Sequence, residues 1–369
     1  MEESRNPYNS LMEIAKGSIA IMGSGETSPA LVSVHRNFIK KLNNSVSAYL
    51  IDTPFGFQEN ADVLVDKLKL FFKKSVQIEI NLASLRNQSN IDSVEYYEMM
   101  EELKEANFIF SGPGSPSYAS KTWLKSGIPN LITNHLQTGK HAIFSSAAAS
   151  TLGEKTIPVY EIYKVGIDPF WENGLNILQH YGLSCTVVPH YNNKEGGNHD
   201  TTCSYIGRNR LNNLLDAEYT NILGIDEHTA LVINGEEEIF NIEGIGNVTV
   251  EIDDGQKIFK SNAEYPLSEL QDILQKKENS NAEPLKNSEK DDDLNTLKKE
   301  IARLNLELKS NNDFTTLFDR AILEIINLRN KFRSDGRYSE SDDIRNLLDK
   351  LDITIEDNKT TSTWKFKDQ

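Results

Sequence analysis

The chain has 369 residues and a mass of 41.7 kDa, which is enough for one large domain and a smaller one. Its net charge of -16 disfavours general binding to nucleic-acid phosphates, and its two cysteines exclude a disulfide framework. The sequence contains no apolar run of membrane-spanning length, and Met1–Lys16 lacks the apolar core of a signal peptide. These features predict a soluble, cytoplasmic protein without a membrane segment.

Short apolar segments alternate with helix-compatible segments along the first part of the chain. The pattern predicts strands at 18–22, 47–51, 76–80, 107–110 and 142–144, and helices at 29–42, 59–72 and 91–105. Further short strands are predicted at 184–189, 221–226, 229–233, 239–242, 248–252 and 258–259, and they complete a domain over 1–274. Because strands and helices alternate, we expect an α/β fold with a doubly wound, mostly parallel sheet.

Several turns of this predicted sheet fall at the carboxyl ends of strands, where ligands bind in such folds. One of them, Gly23-Ser-Gly-Glu, lacks the third glycine of a dinucleotide-binding fingerprint and is interpreted as a tight turn. Gly112-Pro-Gly114 is a rigid loop whose backbone can approach a ligand closely, although a structural turn explains it equally well. The topology brings these turns to one candidate site.

The segment at 141–150 has the pattern of a nucleophile elbow. An apolar strand ends at Ser145-Ser146, and the small residues that follow can begin a helix. Close packing between a strand and a helix produces the same pattern without catalysis. If Ser146 is a nucleophile, the backbone N–H groups of Ala147 and Gly114 are the candidate donors to an oxyanion.

A serine nucleophile needs a base and an acid that orients the base. His190 ends a predicted strand and opens a loop rich in glycine and asparagine, and Glu161 interrupts an apolar segment. The sequence therefore offers Ser146, His190 and Glu161 as candidates for these three groups, and the topology allows them to meet. Glu227 is an alternative acid or an anchor of the loop between two strands.

A metal site is the competing interpretation of the residues around His190. The available ligands fit no compact zinc signature, and we predict neither a metal nor a cofactor; they are His190, Glu195, His199, Asp200 and Cys203.

Four motifs together resemble the serine peptidase family of aspartyl dipeptidase and cyanophycinase. They are Ser146-Ala-Ala-Ala, Glu161, Pro189-His190-Tyr-Asn-Asn193 and Gly224-Ile-Asp-Glu-His-Thr-Ala230. The resemblance covers about Gly17 to Val250 and implies a class I glutamine amidotransferase-like fold. It also implies a hydrolase of a peptide, isopeptide or related amide, with an acyl-enzyme on Ser146.

The sequence departs from that family at the elbow and after the histidine. Phe144 and Ala148 stand where the family elbow has glycines, which favours a second hypothesis, a non-catalytic binding or regulatory protein of the same fold. The family's arginine-rich pattern is only partly present, and the candidates for binding substrate are Asn192, Arg208 and Arg210.

The rest of the chain has a different character. Residues 275–293 are polar and predict a flexible linker, whereas 294–369 carry helical apolar stripes and a short hairpin. The segments Ser341–Arg345, Ile355–Asp357 and Thr363-Trp364 resemble the extreme C-terminus of cysteinyl-tRNA synthetases, whose catalytic signatures are absent. The resemblance implies contact with tRNA or protein and not aminoacylation. The oligomeric state is not predicted.

Overall fold

The computed structural model describes residues 15–42, 46–261 and 263–274, short stretches between 322 and 348, and two strands at 353–357 and 362–366. The chain divides into two compact units, Met1–Glu278 and Asn279–Gln369. The predicted linker at 275–293 and the predicted helix that begins at Leu294 lie outside the described residues. None of the helices searched in the described part is long and apolar enough to cross a membrane.

The first unit contains two main sheets. The strands are β1 (Ser18–Met22), β2 (Ala48–Ile51), β3 (Asn81–Ala83), β4 (Phe108–Ser111), β5 (His141–Ser145), β6 (Lys155–Thr156), β7 (Glu172–Asn173), β8 (Thr186–Val188), β9 (Ile222–Ile225), β10 (Thr229–Asn234), β11 (Ile239–Gly244), β12 (Asn247–Ile252), β13 (Gly255–Lys260) and β14 (Glu264–Pro266). The larger sheet has eight strands in the order β14-β11-β10-β1-β5-β4-β2-β3, and the smaller has the order β13-β12-β9-β8.

Helices cover the sheets between these strands. They are α1 (Val32–Lys41), α2 (Ala61–Phe71), α3 (Val94–Glu105), α4 (Pro116–Trp123), α5 (Ile128–Gln137), α6 (Ala147–Ser150), α7 (Arg208–Ala217) and α8 (Leu267–Leu274). Strands β1, β5, β4, β2 and β3 are parallel, and β10, β11 and β14 continue the sheet with antiparallel pairing. The predicted α/β fold with a mostly parallel sheet is confirmed.

The central strands are apolar because both of their faces are covered. Every residue of β1, β4 and β5 is buried, and two clusters of apolar side chains pack against the large sheet. Their burial explains why these strands read as continuous apolar runs in the sequence. The edge strand β3 differs, since only Ala83 among its three residues is buried.

The predicted strand at 76–80 is wrong. Val76 closes a π-helical turn, and Gln77 follows it in the left-handed region with a φ of 70°. Val76 and Ile80 belong to the segment that connects α2 to β3, and both side chains are buried in the apolar core. Their apolar spacing therefore reflects packing of this connection and not strand pairing. The strand begins only at Asn81, which pairs with Tyr49.

The second unit contains a pair of strands. Its strands β15 (Ile353–Asp357) and β16 (Ser362–Phe366) pair antiparallel, with Ile353 opposite Phe366 and Ile355 opposite Trp364. A small apolar cluster includes Ile322, Ile326, Leu348 and Ile353. The predicted C-terminal hairpin is therefore present.

Candidate active site

Three side chains from distant parts of the chain form a continuous hydrogen-bonded series. Ser146 Oγ lies 2.8 Å from Nε2 of His190, and Nδ1 of the same ring lies 2.9 Å from Oε1 of Glu227. Ser146 stands between β5 and α6, His190 follows β8, and Glu227 lies between β9 and β10. A hydroxyl, an imidazole and a carboxylate in this order can move a proton from the hydroxyl to the ring.

Ser146 occupies a strained backbone position. Its φ of 51° and ψ of −115° are rare for a residue with a side chain, and its N–H donates to Met22 O at 3.0 Å. The turn therefore has the strand-to-helix geometry expected of a nucleophile elbow.

The residues that replace the family's elbow glycines do not carry this strain. Phe144 lies within β5 and Ala148 within α6, and both side chains are fully buried in the apolar core. Because the left-handed φ belongs to Ser146 itself, a glycine is not needed at 144 or 148 to form the turn.

The pairing of two parallel strands brings His190 and Glu227 together. Strand β8 pairs with β9 in parallel, with Val188 opposite Gly224, so the residues after both strands emerge at one edge. The N–H of Tyr191 donates to Ile225 O at 3.1 Å and links the two segments beyond the strands. The sequence signal for Glu227 was its place directly after a predicted strand.

The hydrogen bonds around Glu227 favour the ionised form of its carboxylate. It accepts from His190 and from Asn193 Nδ2 at 2.7 Å, and its own N–H donates to Asn192 Oδ1 at 2.8 Å. The hydrogen bond with His190 lowers the pKa of Glu227, burial opposes this effect, and Asn193 adds to it. A carboxylate that stays ionised can orient the imidazole and stabilise its cation.

The expected contact between Glu161 and His190 is not formed. Glu161 Oε1 instead accepts from Ser117 Oγ at 2.7 Å, while both ring nitrogens of His190 have other partners. The physical reason is local, since Glu161 begins a π-helical turn that places its carboxylate against α4. Glu227, the alternative acid, takes the place beside His190.

The three expected substrate-binding residues form hydrogen bonds with other residues of the protein. Asn192 anchors the backbone of Glu227, and Arg210 donates to Ile206 O at 3.1 Å. Arg208 donates to both carboxylate oxygens of Glu251, at 2.9 and 2.7 Å. None of these three described residues lines the cavity at Ser146, and the pairing of Arg208 or Arg210 with a substrate stays a prediction that these contacts do not support.

A cavity of about 500 Å³ opens over Ser146. Both predicted oxyanion donors, Gly114 and Ala147, line it together with His190. The remaining lining residues are Pro113, Pro116, Val159, Tyr160, Tyr163, Lys164, Pro189, Glu195, Ser204 and Tyr205. Glu195 was a candidate metal ligand from the sequence, whereas Tyr163, Lys164 and Tyr205 had no predicted role in the site.

A larger residue at Gly114 would force the loop that carries it to shift. Gly114 has a φ of 149°, and a Cβ atom would lie 1.9 Å from Pro54 O. The adjacent N–H of Ser115 donates to the same oxygen at 2.7 Å. The close approach of two backbones therefore explains the glycine.

The candidate metal ligands are used in other ways. Asp200 accepts from the N–H of Arg208 at 2.8 Å and from Thr202, and His199 stacks on Tyr163 with ring centroids 6.1 Å apart. Among the described residues, no group of three or more histidine, cysteine, aspartate or glutamate side chains could hold a metal ion.

This chain is similar to a known peptidase family and to solved peptidase structures. The model of peptidase family S51 matches residues 19–240. The crystal structure of a peptidase from an acI-B1 Actinobacterium is 21% identical, covers 69% of this chain and 98% of that chain, and superposes with a TM-score of 0.56. A candidate peptidase E protein from Listeria monocytogenes EGD-e is 17% identical, with coverages of 62% and 99% and a TM-score of 0.43. The search of curated proteins found no match.

Proposed function

This chain belongs to peptidase family S51, and we propose that it is a serine hydrolase that cleaves a peptide, isopeptide or related amide. The observation that carries the proposal is the series Ser146–His190–Glu227, with contacts of 2.8 and 2.9 Å. In the active form, Nδ1–H of His190 donates to Glu227, and Nε2 accepts from the Ser146 hydroxyl.

The first half of the reaction forms an acyl-enzyme. His190 Nε2 takes the proton of Ser146 Oγ as this oxygen bonds to the substrate carbonyl carbon. The carbonyl oxygen becomes an oxyanion, and the N–H groups of Gly114 and Ala147 stabilise it. The C–N bond then breaks, and His190 donates its proton to the leaving nitrogen.

The second half regenerates the enzyme. His190 takes a proton from a water molecule, whose oxygen bonds to the acyl carbon and expels Ser146 Oγ. The proton returns to Oγ, and the product leaves as a carboxylic acid. Glu227 remains ionised throughout and stabilises the imidazolium in both halves.

Glu161 has a positioning role in this proposal. It accepts from Ser117 Oγ, which lies 3.1 Å from Ser115 Oγ. Ser115 follows Gly114 and caps α4 by accepting from Tyr118 N at 3.2 Å. Glu161 thus supports the loop that presents one oxyanion donor.

Labelling with a fluorophosphonate probe tests the proposal. We expect the native protein to form a covalent adduct at Ser146 and the variant Ser146→Ala to form none. Ser204→Ala is the matched control, because Ser204 also lines the cavity but its hydroxyl donates to Pro189 O at 2.7 Å. An unlabelled native protein, or equal labelling of the Ser146→Ala variant, contradicts the proposal and favours a non-catalytic binding protein.

A further inference from the structure

One wall of the active cavity is a row of side chains that starts at the proposed base. The ring centroids of His190 and Tyr205 are 5.0 Å apart, and those of Tyr205 and Tyr163 are 5.9 Å apart. Lys164 follows, with Nζ 4.7 Å from the centroid of the Tyr163 ring. All four residues line the cavity that contains Ser146. We call Tyr205, Tyr163 and Lys164 the aromatic wall.

The position of this wall identifies the part of a substrate that it contacts. In the proposed reaction the leaving nitrogen receives its proton from His190, so the leaving group must lie on the histidine side of the scissile carbonyl. The oxyanion donors, Gly114 and Ala147, stabilise the carbonyl oxygen. Because Tyr205 packs on His190, the aromatic wall extends along the leaving group.

The charges along the wall favour an anionic group at its far end. Glu195 is the carboxylate among the lining residues, and burial, with the charge of Glu195 adding to it, raises the pKa of the Tyr205 hydroxyl. Among the ion pairs found in the described residues, none includes Lys164, which is exposed. The ammonium therefore rests on an aromatic face without a carboxylate partner, and a substrate carboxylate can bind it.

We infer that the aromatic wall is a leaving-group subsite for an aromatic amino acid with a free carboxylate. This inference rests on the proposed function. The side chain packs on Tyr205 and Tyr163, and the carboxylate pairs with Lys164. Aromatic pairs and charge-assisted hydrogen bonds both contribute to such recognition. The preferred substrates are then short peptides in which an aromatic residue is C-terminal and directly follows the scissile bond.

Binding of the leaving product tests the subsite without requiring turnover. Ligand-observed NMR measures how tightly L-phenylalanine, L-phenylalaninamide and glycine bind to the native protein and to the Ser146→Ala variant. We expect L-phenylalanine to bind both proteins equally, and to bind roughly tenfold more tightly than the amide or glycine. Equal binding of the three probes, or no binding, overturns the inference.

Two variants divide the subsite into its charged and aromatic parts. Lys164→Gln should remove the preference for L-phenylalanine over its amide, and Tyr163→Leu should remove the preference over glycine. Lys67→Gln, a change at an exposed lysine of α2 outside the cavity, should alter neither. An unchanged preference in Lys164→Gln overturns the role of this cation.

Fluorophosphonate labelling separates this inference from the function on which it rests. Labelling of Ser146 without selective binding of L-phenylalanine overturns the subsite and leaves the hydrolase proposal standing. Selective binding without labelling overturns the hydrolase proposal, and with it the leaving-group assignment, and leaves an amino-acid binding site.

Discussion

Oε1 of Glu227 lies 2.9 Å from Nδ1 of His190, although 37 positions separate the two residues in the chain. The contact exists because β8 and β9 are neighbouring parallel strands whose carboxyl ends meet at one edge. It determines which of two candidate carboxylates orients the proposed base, and it makes the roles of Glu227 and Glu161 experimentally separable.

Glu227→Gln should slow labelling of Ser146 by a fluorophosphonate roughly 10²- to 10⁴-fold, because an amide can favour the wrong imidazole tautomer and cannot stabilise the imidazolium. Glu161→Gln is the matched control and should have a much smaller effect, since Glu161 contacts Ser117 and not His190. The measurement is the second-order labelling rate. A loss in Glu161→Gln as large as that in Glu227→Gln would refute the assignment.

Gly114→Ala should lower the labelling rate and any peptide hydrolysis roughly 10²-fold while the protein remains folded. A methyl group there meets Pro54 O at 1.9 Å, so the loop must shift and carry its N–H away from the oxyanion position. Gly112→Ala provides the comparison, since its Cβ would lie 3.3 Å from Phe110 Cζ, where a small adjustment suffices. Similar rates for the two variants would exclude Gly114 as an oxyanion donor.

Arg208→Gln should reduce kcat for a cleaved peptide and leave KM unchanged. Arg208 binds Glu251 through two hydrogen bonds and donates to the Tyr191 hydroxyl at 2.6 Å, beside His190. Glu251→Gln should have the same effect, and the double variant should be no worse than either single one, because the residues act as one unit. A raised KM in Arg208→Gln alone would show that its guanidinium binds the substrate instead.

The free energy of unfolding should fall as the pH drops from about 6.5 towards 4. Burial lowers the pKa of His35 to about 4, of His135 to about 3 and of His141 to about 4, so the folded chain keeps these rings neutral. The unfolded chain protonates them near the ordinary value of about 6.5 and therefore binds more protons in this interval. Stability is consequently greater above about pH 6.5 and is lost on acidification.

The variant His135→Gln tests whether the buried histidines cause this loss of stability at low pH. Nε2 of His135 donates to His141 O at 2.9 Å, and a glutamine amide can replace that donor. Urea unfolding at several pH values should show a shallower pH dependence for this variant, by about 2 kcal/mol between pH 6.5 and about pH 5. An unchanged slope in His135→Gln would mean that other groups control the acid sensitivity.

The sequence alone determined the α/β order of the first unit and two members of the series, Ser146 and His190. Local patterns sufficed for them, because buried parallel strands are continuous apolar runs and polar groups at their ends stand out. The tertiary structure alone decided between Glu161 and Glu227. Glu161 interrupted an apolar segment and Glu227 followed a predicted strand, and strand pairing between distant segments leaves no local signature that decides between them.

The lining of the cavity shows the same division. Gly114 and Ala147 were predictable from a glycine-rich loop and a strand-to-helix turn, whose geometry depends on neighbouring residues. Tyr205 and Lys164 were not, because they come from separate segments of the chain that only the tertiary fold brings together. The contact between Arg208 and Glu251 was not predictable for a related reason, since the two residues are 43 positions apart and nothing in the sequence marks them as partners.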